Sequence, residues 1–563
     1  MTEFNPGLIM IIGGLLVPLV SGTARRALLL ALPVIGLAYT IGLDAGTVQT
    51  VQFFDYKLEL LRVDKLALVW GYIFHIAAFL GVLYAIHEDD PLQGIMAQIY
   101  MGSAVGAVFA GDLITLFVFW ELTAVSSVFL IWATRTERAY RAGMRYLIIQ
   151  VLSGVILLAG ALIILADTGS IAFNHIGIGS LGGKLIFIAF GIKCAFPFLH
   201  NWLQDSYPEA TVTGTVILSA FTTKLAVYAL ARGYAGTEIL IYIGAAMTAF
   251  PVFFAVIENN LRRVLAYSLN NQLGFMVVGI GIGTELSLNG TASHAFSHIL
   301  YKALLFMSMG AVLFRTGTVK ASELGGLFKS MPWTAGFCIV GAMSISAFPL
   351  FSGFVSKSMI LTAAAEEHRW IVWTILLIAS AGVMEHSGIK IPYFAFFAHD
   401  SGRRVEEAPK NMLWAMGIAA FLCIGIGIYP DPLYAILPYE VNYHPYTVGH
   451  VITSLQLLVF AAIAFLFLIK TGLYPDETPS VNLDFDWFYR RLGPKLIGMV
   501  GCVVGAADRG VRRGLLNLLN EFIALVHRFH GVDGAFARTY PAGGMVFWAV
   551  GLLGVFLLLY FIG

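Results

Sequence analysis

Residues 183–203 read GKLIFIAFGIKCAFPFLHNWL, and residues 345–357 read ISAFPLFSGFVSK. Each stretch places Ala-Phe-Pro inside an apolar run, at 195–197 and at 347–349. Proline removes a backbone donor and breaks a helix, which a membrane interior tolerates only where the broken backbone lines protein or a wet cavity. The two stretches therefore predict two helices that are interrupted at mid-membrane.

The apolar segments that surround these breaks place them in a repeated pattern. Hydropathy divides the chain into sixteen segments, with the breaks in the seventh and the twelfth. Successive segments cross the membrane in opposite directions, and these two are five segments apart. The two broken segments therefore run in opposite directions. That pattern is typical of inverted repeats with discontinuous helices, which line ion pathways in transporters. The alternative is that both prolines are packing kinks. The segments are 7–21, 26–43, 65–88, 94–111, 112–134, 143–167, 183–203, 210–232, 237–257, 262–283, 290–314, 333–362, 370–396, 411–429, 448–471 and 544–562.

Composition supports a membrane protein and excludes several other classes. The chain is 58% hydrophobic and 12% charged, against roughly 45–50% and 25% for a soluble domain. Its net charge of +1 is spread without a basic face, so nucleic acid is not expected as a partner. The four cysteines form no CxxC pair, and there is no phosphate-binding or dinucleotide-binding glycine motif. We therefore expect an all-α integral membrane protein of about 14–16 transmembrane helices, without a metal site, a bound cofactor or a redox centre of its own.

Basic residues predict the orientation of the chain, because cytoplasmic loops carry the Lys and Arg excess. Most basic loops follow odd-numbered segments, which places those loops in the cytoplasm and both termini on the other side. The acidic loop 87–91 departs from this rule. The basic loops contain Arg25, Arg26, Arg135, Arg138, Arg141, Arg262, Arg263, Arg315, Lys320, Lys329, Arg403, Arg404, Lys410, Arg490 and Arg491.

The C-terminal part of the chain has a different pattern. Between residues 496 and 529 an apolar stripe alternates with charged positions at helical spacing, which indicates an amphipathic lateral helix along the membrane or a neighbouring protein. The expected organisation is six regions: N-terminal helices 1–93, a first repeat 94–232, a second repeat 237–396, core helices 397–471, the lateral-helix region 472–543 and a last span 544–563.

Ionisable residues inside the apolar segments are the candidate functional site. A charge at mid-membrane costs roughly 2.5–3.5 kcal/mol, so each of these residues requires an explanation. His294, His298 and Lys302 follow one another at steps of four and share one helix face, a line of roughly 12 Å at 1.5 Å per residue. The candidates are Glu121, Lys193, Lys224, His294, His298, Lys302, Lys357 and Lys390.

Each candidate also has a structural explanation. The carboxylate and the lysines could be static ion pairs, and the histidines could be hydrogen-bonded core residues. Lys357 lies just after the second break, where it could reach the interface or cap freed carbonyls. The functional alternative is a switch in which approach or separation of Glu121 decides whether Lys193 keeps its proton.

Five runs of the sequence form a recognisable set: WELT at 120–123, KCAFPFLHNWLQDSY at 193–207, LRRVLAYS at 261–268, SHILYKALLF at 297–306 and FPLFSGFVSK at 348–357. They resemble one family, the antiporter-like membrane subunits of respiratory complex I, membrane-bound hydrogenases and Mrp-type sodium/proton antiporters. In order and spacing they cover about residues 60–430. The segment HSGIKIPYFAFF at 386–397 is most like the Mrp D-type subunit, whereas residues 470–563 extend beyond it and are similar to the lateral helix of the longest complex I relative.

The resemblance implies a fold of two five-helix inverted repeats, each with one broken helix. It also implies a role for each matched residue: Glu121 and Lys193 as the paired glutamate and lysine, and Lys224 as the next relay lysine. His298 and Lys302 would form the central link, and Lys390 the terminal exchange residue.

These observations lead to one leading hypothesis and three alternatives. The leading hypothesis is a proton-translocating subunit of a multisubunit cation/proton antiporter in the inner membrane of a bacterium, with other membrane subunits, protons, Na⁺ and lipids as partners. The alternatives are a pump module of a redox enzyme such as a complex I-like or hydrogenase complex, the membrane half of an inorganic-carbon uptake system, and a structural scaffold.

Overall fold

Every backbone polar group inside a lipid bilayer must be satisfied internally, so apolar runs of this length fold as helices. The computed structural model describes residues 3–54, 56–474, 477–478, 482–539 and 541–563. The first helices are α1 (Gly7–Leu16), α2 (Gly22–Ile41), α3 (Lys65–Ala85), α4 (Pro91–Val108), α5 (Leu113–Trp132) and α6 (Glu137–Thr168).

The central helices are α7 (Leu181–Lys193), α8 (Asn201–Ser206), α9 (Val212–Ala220), α10 (Thr222–Gly233), α11 (Ile239–Ile257), α12 (Leu261–Ile282), α13 (Glu285–Thr316), α14 (Pro332–Ile345) and α15 (Ser352–Glu366). They are followed by α16 (Trp370–Val383), α17 (Lys390–Pro392), α18 (Lys410–Ile428), α19 (Asp431–Ala435), α20 (Val448–Thr471), α21 (Gly493–His530) and α22 (Ala542–Ile562).

Each of the sixteen predicted segments coincides with a helix or with a pair of helices separated by a break. Eleven helices of the described part are long and apolar enough to cross a membrane. The prediction of an all-α multi-pass membrane protein is therefore confirmed. Side-chain oxygens of the preceding residue cap several N-termini and satisfy otherwise free backbone N–H groups; these caps are Asp64, Asp90, Asp112, Thr136, Ser180, Asn260 and Thr284.

Two local features were not predicted from the sequence. Strands β1 (Val48–Phe53) and β2 (Tyr56–Arg62) form an antiparallel hairpin between α2 and α3. The segment after α16 continues as π-helical turns, 384–389 and 393–397, on either side of the short α17. Lys390 is the first residue of α17, so the wider π turns flank one of the candidate residues.

The two Ala-Phe-Pro breaks have the same backbone geometry. Ala195 and Ala347 both lie in the left-handed region, and so do the fourth residues, Phe198 and Leu350. In each break the phenylalanine N–H donates to the carbonyl five residues earlier, at 3.0 Å. The matching turns are those expected of a repeated unit; the opposite orientation of the two repeats and the six-region division stay predictions.

The acidic loop 87–91, which departs from the charge rule, lies beside two of the basic loops. Asp89 pairs with Arg26 at 3.3 Å, and Asp90 pairs with Arg135 at 2.9 Å. The loops after segments one, three and five are therefore close together. The acidic residues of the third loop compensate the positive charges of its neighbours, which explains its composition.

The chain divides into two compact units, 1–482 and 483–563. The first unit contains all the candidate residues and is organised around α13, which contacts α3, α9, α12, α14, α15 and α18. The second unit contains α22 and the amphipathic α21, which spans 493–530 where the sequence predicts 496–529. Positions 475–476, 479–481 and 540 of the predicted lateral-helix region lie outside the described residues.

Candidate proton pathway

Helix α13 carries His294, His298 and Lys302 without interruption, and all three side chains are completely buried. The ring centroids of His294 and His298 are 6.2 Å apart. Helices α9 and α10 from the first predicted repeat and α12 and α15 from the second all contact α13. The three residues therefore form a line through the centre of the first unit.

Lys193 ends α7 directly before the first break and is completely buried. Its Nζ donates to the carbonyl of Trp120 at 2.6 Å and to Oγ1 of Thr123 at 2.9 Å, and it lies 4.4 Å from the Trp120 ring centroid. The lysine thus binds the turn of α5 that carries Glu121. Its hydrogen bonds go to neutral oxygens, which are weaker partners for an ammonium than a carboxylate is.

Glu121 faces α6 rather than the lysine. Its Oε1 is buried and makes no hydrogen bond to any described residue, although its charge and that of Lys193 interact. The carboxylate rests against Gly154, where an added Cβ would lie only 1.4 Å from Oε1. The structure therefore has the arrangement in which the carboxylate is set apart from the lysine, one of the two positions that the proposed switch requires.

Lys224 lies beside a third helix break, which the sequence did not predict. Phe221 departs from helical geometry between α9 and α10, with φ −106° and ψ −66°. The Nζ of Lys224 donates to the carbonyl of Ser219 at 2.6 Å. A buried lysine thus satisfies a carbonyl at the end of α9, and this contact stabilises an interruption that contains neither proline nor glycine.

His298 and Lys302 are the least satisfied of the candidate residues. Both ring nitrogens of His298 and the Nζ of Lys302 are buried without a hydrogen bond to any described residue. A buried polar atom left without a partner costs roughly 1–3 kcal/mol. His294 differs, because its ring nitrogens contact Ser356 Oγ at 3.1 Å and Gln272 Oε1 at 3.2 Å. The free hydrogen-bonding capacity is therefore concentrated at the centre of the line.

Lys357 has the contacts expected from its capping explanation. Its Nζ donates to the carbonyl of Ile345, the last residue of α14, at 3.2 Å, and to Ser380 Oγ at 3.3 Å. It also lines a cavity of about 240 Å³ together with Ser346 and His450. The lysine stabilises the second break and at the same time faces this cavity.

Lys390 is buried beside the C-terminal end of α11. Its Nζ donates to the carbonyls of Val256 at 2.5 Å and Glu258 at 2.9 Å. It also pairs with Glu477 at 2.8 Å, in the segment after α20. The sequence did not indicate this carboxylate, because Glu477 lies in a polar stretch outside the apolar segments.

His386 is a second residue that sequence reasoning missed. It is completely buried, and its Nδ1 contacts Ser387 Oγ at 2.8 Å. Its Nε2 makes no hydrogen bond to any described residue, and the ring interacts electrostatically with both Lys302 and Lys390. A histidine four residues before Lys390 in an apolar run was the available signal. The imidazole is therefore near enough to both lysines to feel their charges.

The described residues contain no cluster of three or more His, Cys, Asp or Glu that could hold a metal ion. The candidate residues are instead lysines, histidines and one carboxylate, all of them able to gain or lose a proton. The arrangement can pass protons between titratable groups.

Known proteins resemble this chain over the region that holds most of the candidate residues. Residues 110–382 match the family model described as "NADH:quinone oxidoreductase/Mrp antiporter, TM". The D-type component of a Na⁺/H⁺ antiporter from Alkalihalophilus pseudofirmus is 29% identical over 353 residues, which cover 58% of this chain and 71% of that protein.

Two further relatives extend the comparison. The N-type component of an NADH-quinone oxidoreductase from Desulforudis audaxviator is 30% identical over 407 residues, which cover 65% of this chain and 80% of that protein. A chain in the structure of the Mrp complex from Dietzia sp. superposes with a TM-score of 0.71 at 20% identity and covers 82% of this chain and 98% of its own length. The resemblance found in the sequence motifs is confirmed.

Proposed function

The chain belongs to the NADH:quinone oxidoreductase/Mrp antiporter transmembrane family, and we propose that it is the proton-translocating subunit of a multisubunit cation/proton antiporter. The observation that carries the proposal is the pair His298 and Lys302, which lies at the centre of the unit with three buried nitrogens free of described partners. Buried nitrogens without a hydrogen-bond partner destabilise the fold, so a functional explanation is favoured over a structural one. Such nitrogens are suited to exchange protons.

The proposed pathway follows the buried side chains in order. A proton enters near Lys193, passes Lys224, crosses α13 by His298 and Lys302, and leaves through His386 and Lys390. His294 adjoins this line through its contact with His298. Movement of Glu121 towards Lys193 would hold the proton on the lysine, and the separation present in the structure would release it.

The proposal includes partners and a place in the cell. The relatives described above are components of larger membrane assemblies, so we propose that this chain also works with other membrane subunits, in the inner membrane of a bacterium. Protons are the transported species and Na⁺ is the proposed counter-ion. The loops after odd-numbered segments would face the cytoplasm, with both termini on the opposite side.

Lys193→Ala tests the proposal in everted membrane vesicles that contain the complete complex. We expect Na⁺-driven dissipation of a preformed proton gradient, followed with acridine orange, to fall by about 100-fold or more, because proton transfer loses a positioned group. Complex yield should be unchanged. The matched control is Lys184→Ala, which changes an exposed lysine of the same helix. Full transport by the Lys193 variant would exclude this pathway.

A redox-driven pump module is the second candidate, favoured by the similarity to a quinone oxidoreductase component. In that case the same proton pathway would be driven by electron transfer in partner subunits. Purification of the complex in mild detergent separates the two functions, because flavin or iron–sulfur partners would indicate the pump and their absence the antiporter.

A further inference from the structure

The segment that follows α20 returns to the terminal lysine of the pathway. Glu477 Oε1 lies 2.8 Å from Lys390 Nζ, and the two side chains are 7% and 0% exposed. Both residues belong to the first compact unit, which extends to residue 482. A carboxylate from outside the apolar segments is thus buried against the last lysine of the line.

Glu477 differs chemically from the other groups that contact Lys390. The Lys390 ammonium group donates hydrogen bonds to the carbonyls of Val256 and Glu258 and forms an ion pair with the carboxylate of Glu477. A backbone carbonyl accepts a hydrogen bond but does not take up a proton at any ordinary pH. Among these contacts only Glu477 can receive the proton of Lys390.

Glu477 also faces the surface of the protein. It lines an open cavity of about 460 Å³ together with Ser322, Tyr393, His399 and Tyr474. Lys390 is not among the residues that line this cavity. The carboxyl group therefore lies between the buried lysine and this open cavity.

Burial and the charge of Lys390 act on the Glu477 carboxyl in opposite directions. Burial raises the pKa of the Glu477 carboxyl above its ordinary value, and the nearby Lys390 ammonium opposes that rise. The titratable groups that face this site are Lys390, Glu258, Glu385, Tyr474 and His399, with Arg263 behind Glu258.

We propose that Glu477 is the terminal proton carrier of the pathway. The inference rests on the function proposed above and extends it by one residue. In the transfer step the Lys390 ammonium gives its proton to the Glu477 carboxylate, leaving a neutral amine and a carboxylic acid. The acid then releases the proton into the open cavity, and Lys390 is protonated again from the His386 side.

A static ion pair is the competing explanation, and Glu477→Gln distinguishes the two. Glutamine keeps an oxygen that accepts a hydrogen bond from Lys390 but cannot carry a proton. In vesicles with the complete complex we expect Na⁺-driven proton transport to fall by about 100-fold or more, with unchanged complex yield and melting temperature. Glu477→Asp keeps a titratable carboxyl on a side chain that is shorter by only one methylene group. This variant should retain at least about a tenth of the wild-type rate.

The matched control is Glu406→Gln, which removes the same charge from a side chain that is 85% exposed and should transport at the wild-type rate. Wild-type transport by Glu477→Gln would overturn the inference. It would leave the proposed function intact as long as Lys193→Ala remains inactive, whereas an active Lys193→Ala would overturn the function itself.

A labelling experiment decides the matter if the glutamine variant assembles poorly. Cys194, Cys338 and Cys423 are buried and Cys502 is exposed, so Glu477→Cys is made together with Cys502→Ser. We expect a charged, membrane-impermeant thiosulfonate to modify the new cysteine in permeabilised vesicles, because the proposal requires water to enter the cavity. Failure of the reagent to react would show a sealed site and overturn the inference.

Discussion

At the scale of single residues, the position of the Glu121 carboxylate depends on the absence of a side chain on α6. A Cβ on Gly154 would overlap Oε1 of Glu121, so Gly154→Ala must displace the carboxylate. We predict that this variant loses Na⁺-driven proton transport by about tenfold or more while the complex still assembles, because the carboxylate no longer occupies its separated position. The acridine orange assay in everted vesicles measures the change.

Gly336→Ala is the control for that prediction. A Cβ at this helical glycine meets nothing within 4 Å, so transport should be unaffected. If Gly154→Ala also transported normally, the separation of Glu121 from Lys193 would have no part in timing the proton.

His386→Phe tests the link between Lys302 and Lys390. Phenylalanine keeps a planar ring in the buried site but cannot accept or donate a proton. We predict a loss of transport of about 100-fold, the usual contribution of one positioned proton-transfer group. His175→Phe, at an exposed position, should have no effect. Undiminished transport in the His386 variant would mean that protons pass from Lys302 to Lys390 without the imidazole.

The candidate lysines and Glu121 could be identified from the sequence because a charge in an apolar segment is costly and therefore conspicuous. Glu477 could not, because a glutamate in a polar connection is ordinary and its contact with Lys390 exists only in the folded chain. The sequence also could not distinguish Lys357 from Lys302. Lys357 caps a carbonyl of α14, whereas Lys302 has no described hydrogen-bond partner.

At the scale of helices, the breaks at 195–197 and 347–349 could be predicted because proline removes a backbone donor. The break at Phe221 has no such signal. It is compensated by a side chain, since Lys224 supplies the hydrogen bond to Ser219. The hairpin formed by β1 and β2 was also missed, because hydropathy windows that detect spans do not detect short strands between them.

The second break stores conformational strain at Leu350, a non-glycine residue at φ 73°. Leu350→Gly and Leu350→Ala both remove the exposed leucine side chain and differ only in the Cβ that alanine keeps. Only glycine adopts this backbone conformation freely. We predict that the glycine variant of the purified complex is more stable than the alanine variant by about 1 kcal/mol, seen as a higher melting temperature.

Phe421, an exposed residue inside α18, serves as the control for that pair. In a regular helix glycine is about 1 kcal/mol less favourable than alanine, so the order of the two variants should reverse. The same order at both positions would show that the left-handed conformation of Leu350 carries no strain.

At the scale of the whole molecule, α13 connects the two predicted repeats. It contacts α9 and α10 of the first and α12 and α15 of the second, and it carries both ring nitrogens of His298 and the Nζ of Lys302, which are buried without a described hydrogen-bond partner. The sequence predicted the line of residues on this helix but not which of them would lack partners, because that depends on how neighbouring helices pack around the line.

Lys302→Arg, compared with wild type in everted vesicles containing the complete complex, tests the central claim most directly. Arginine keeps the positive charge, but its guanidinium does not deprotonate in proteins. The substitution therefore blocks proton transfer through residue 302 but preserves any structural role of its positive charge. We predict normal complex yield and Na⁺-driven proton transport reduced by about 100-fold or more. Transport at the wild-type rate would contradict the account, because Lys302 would then act only as a fixed charge.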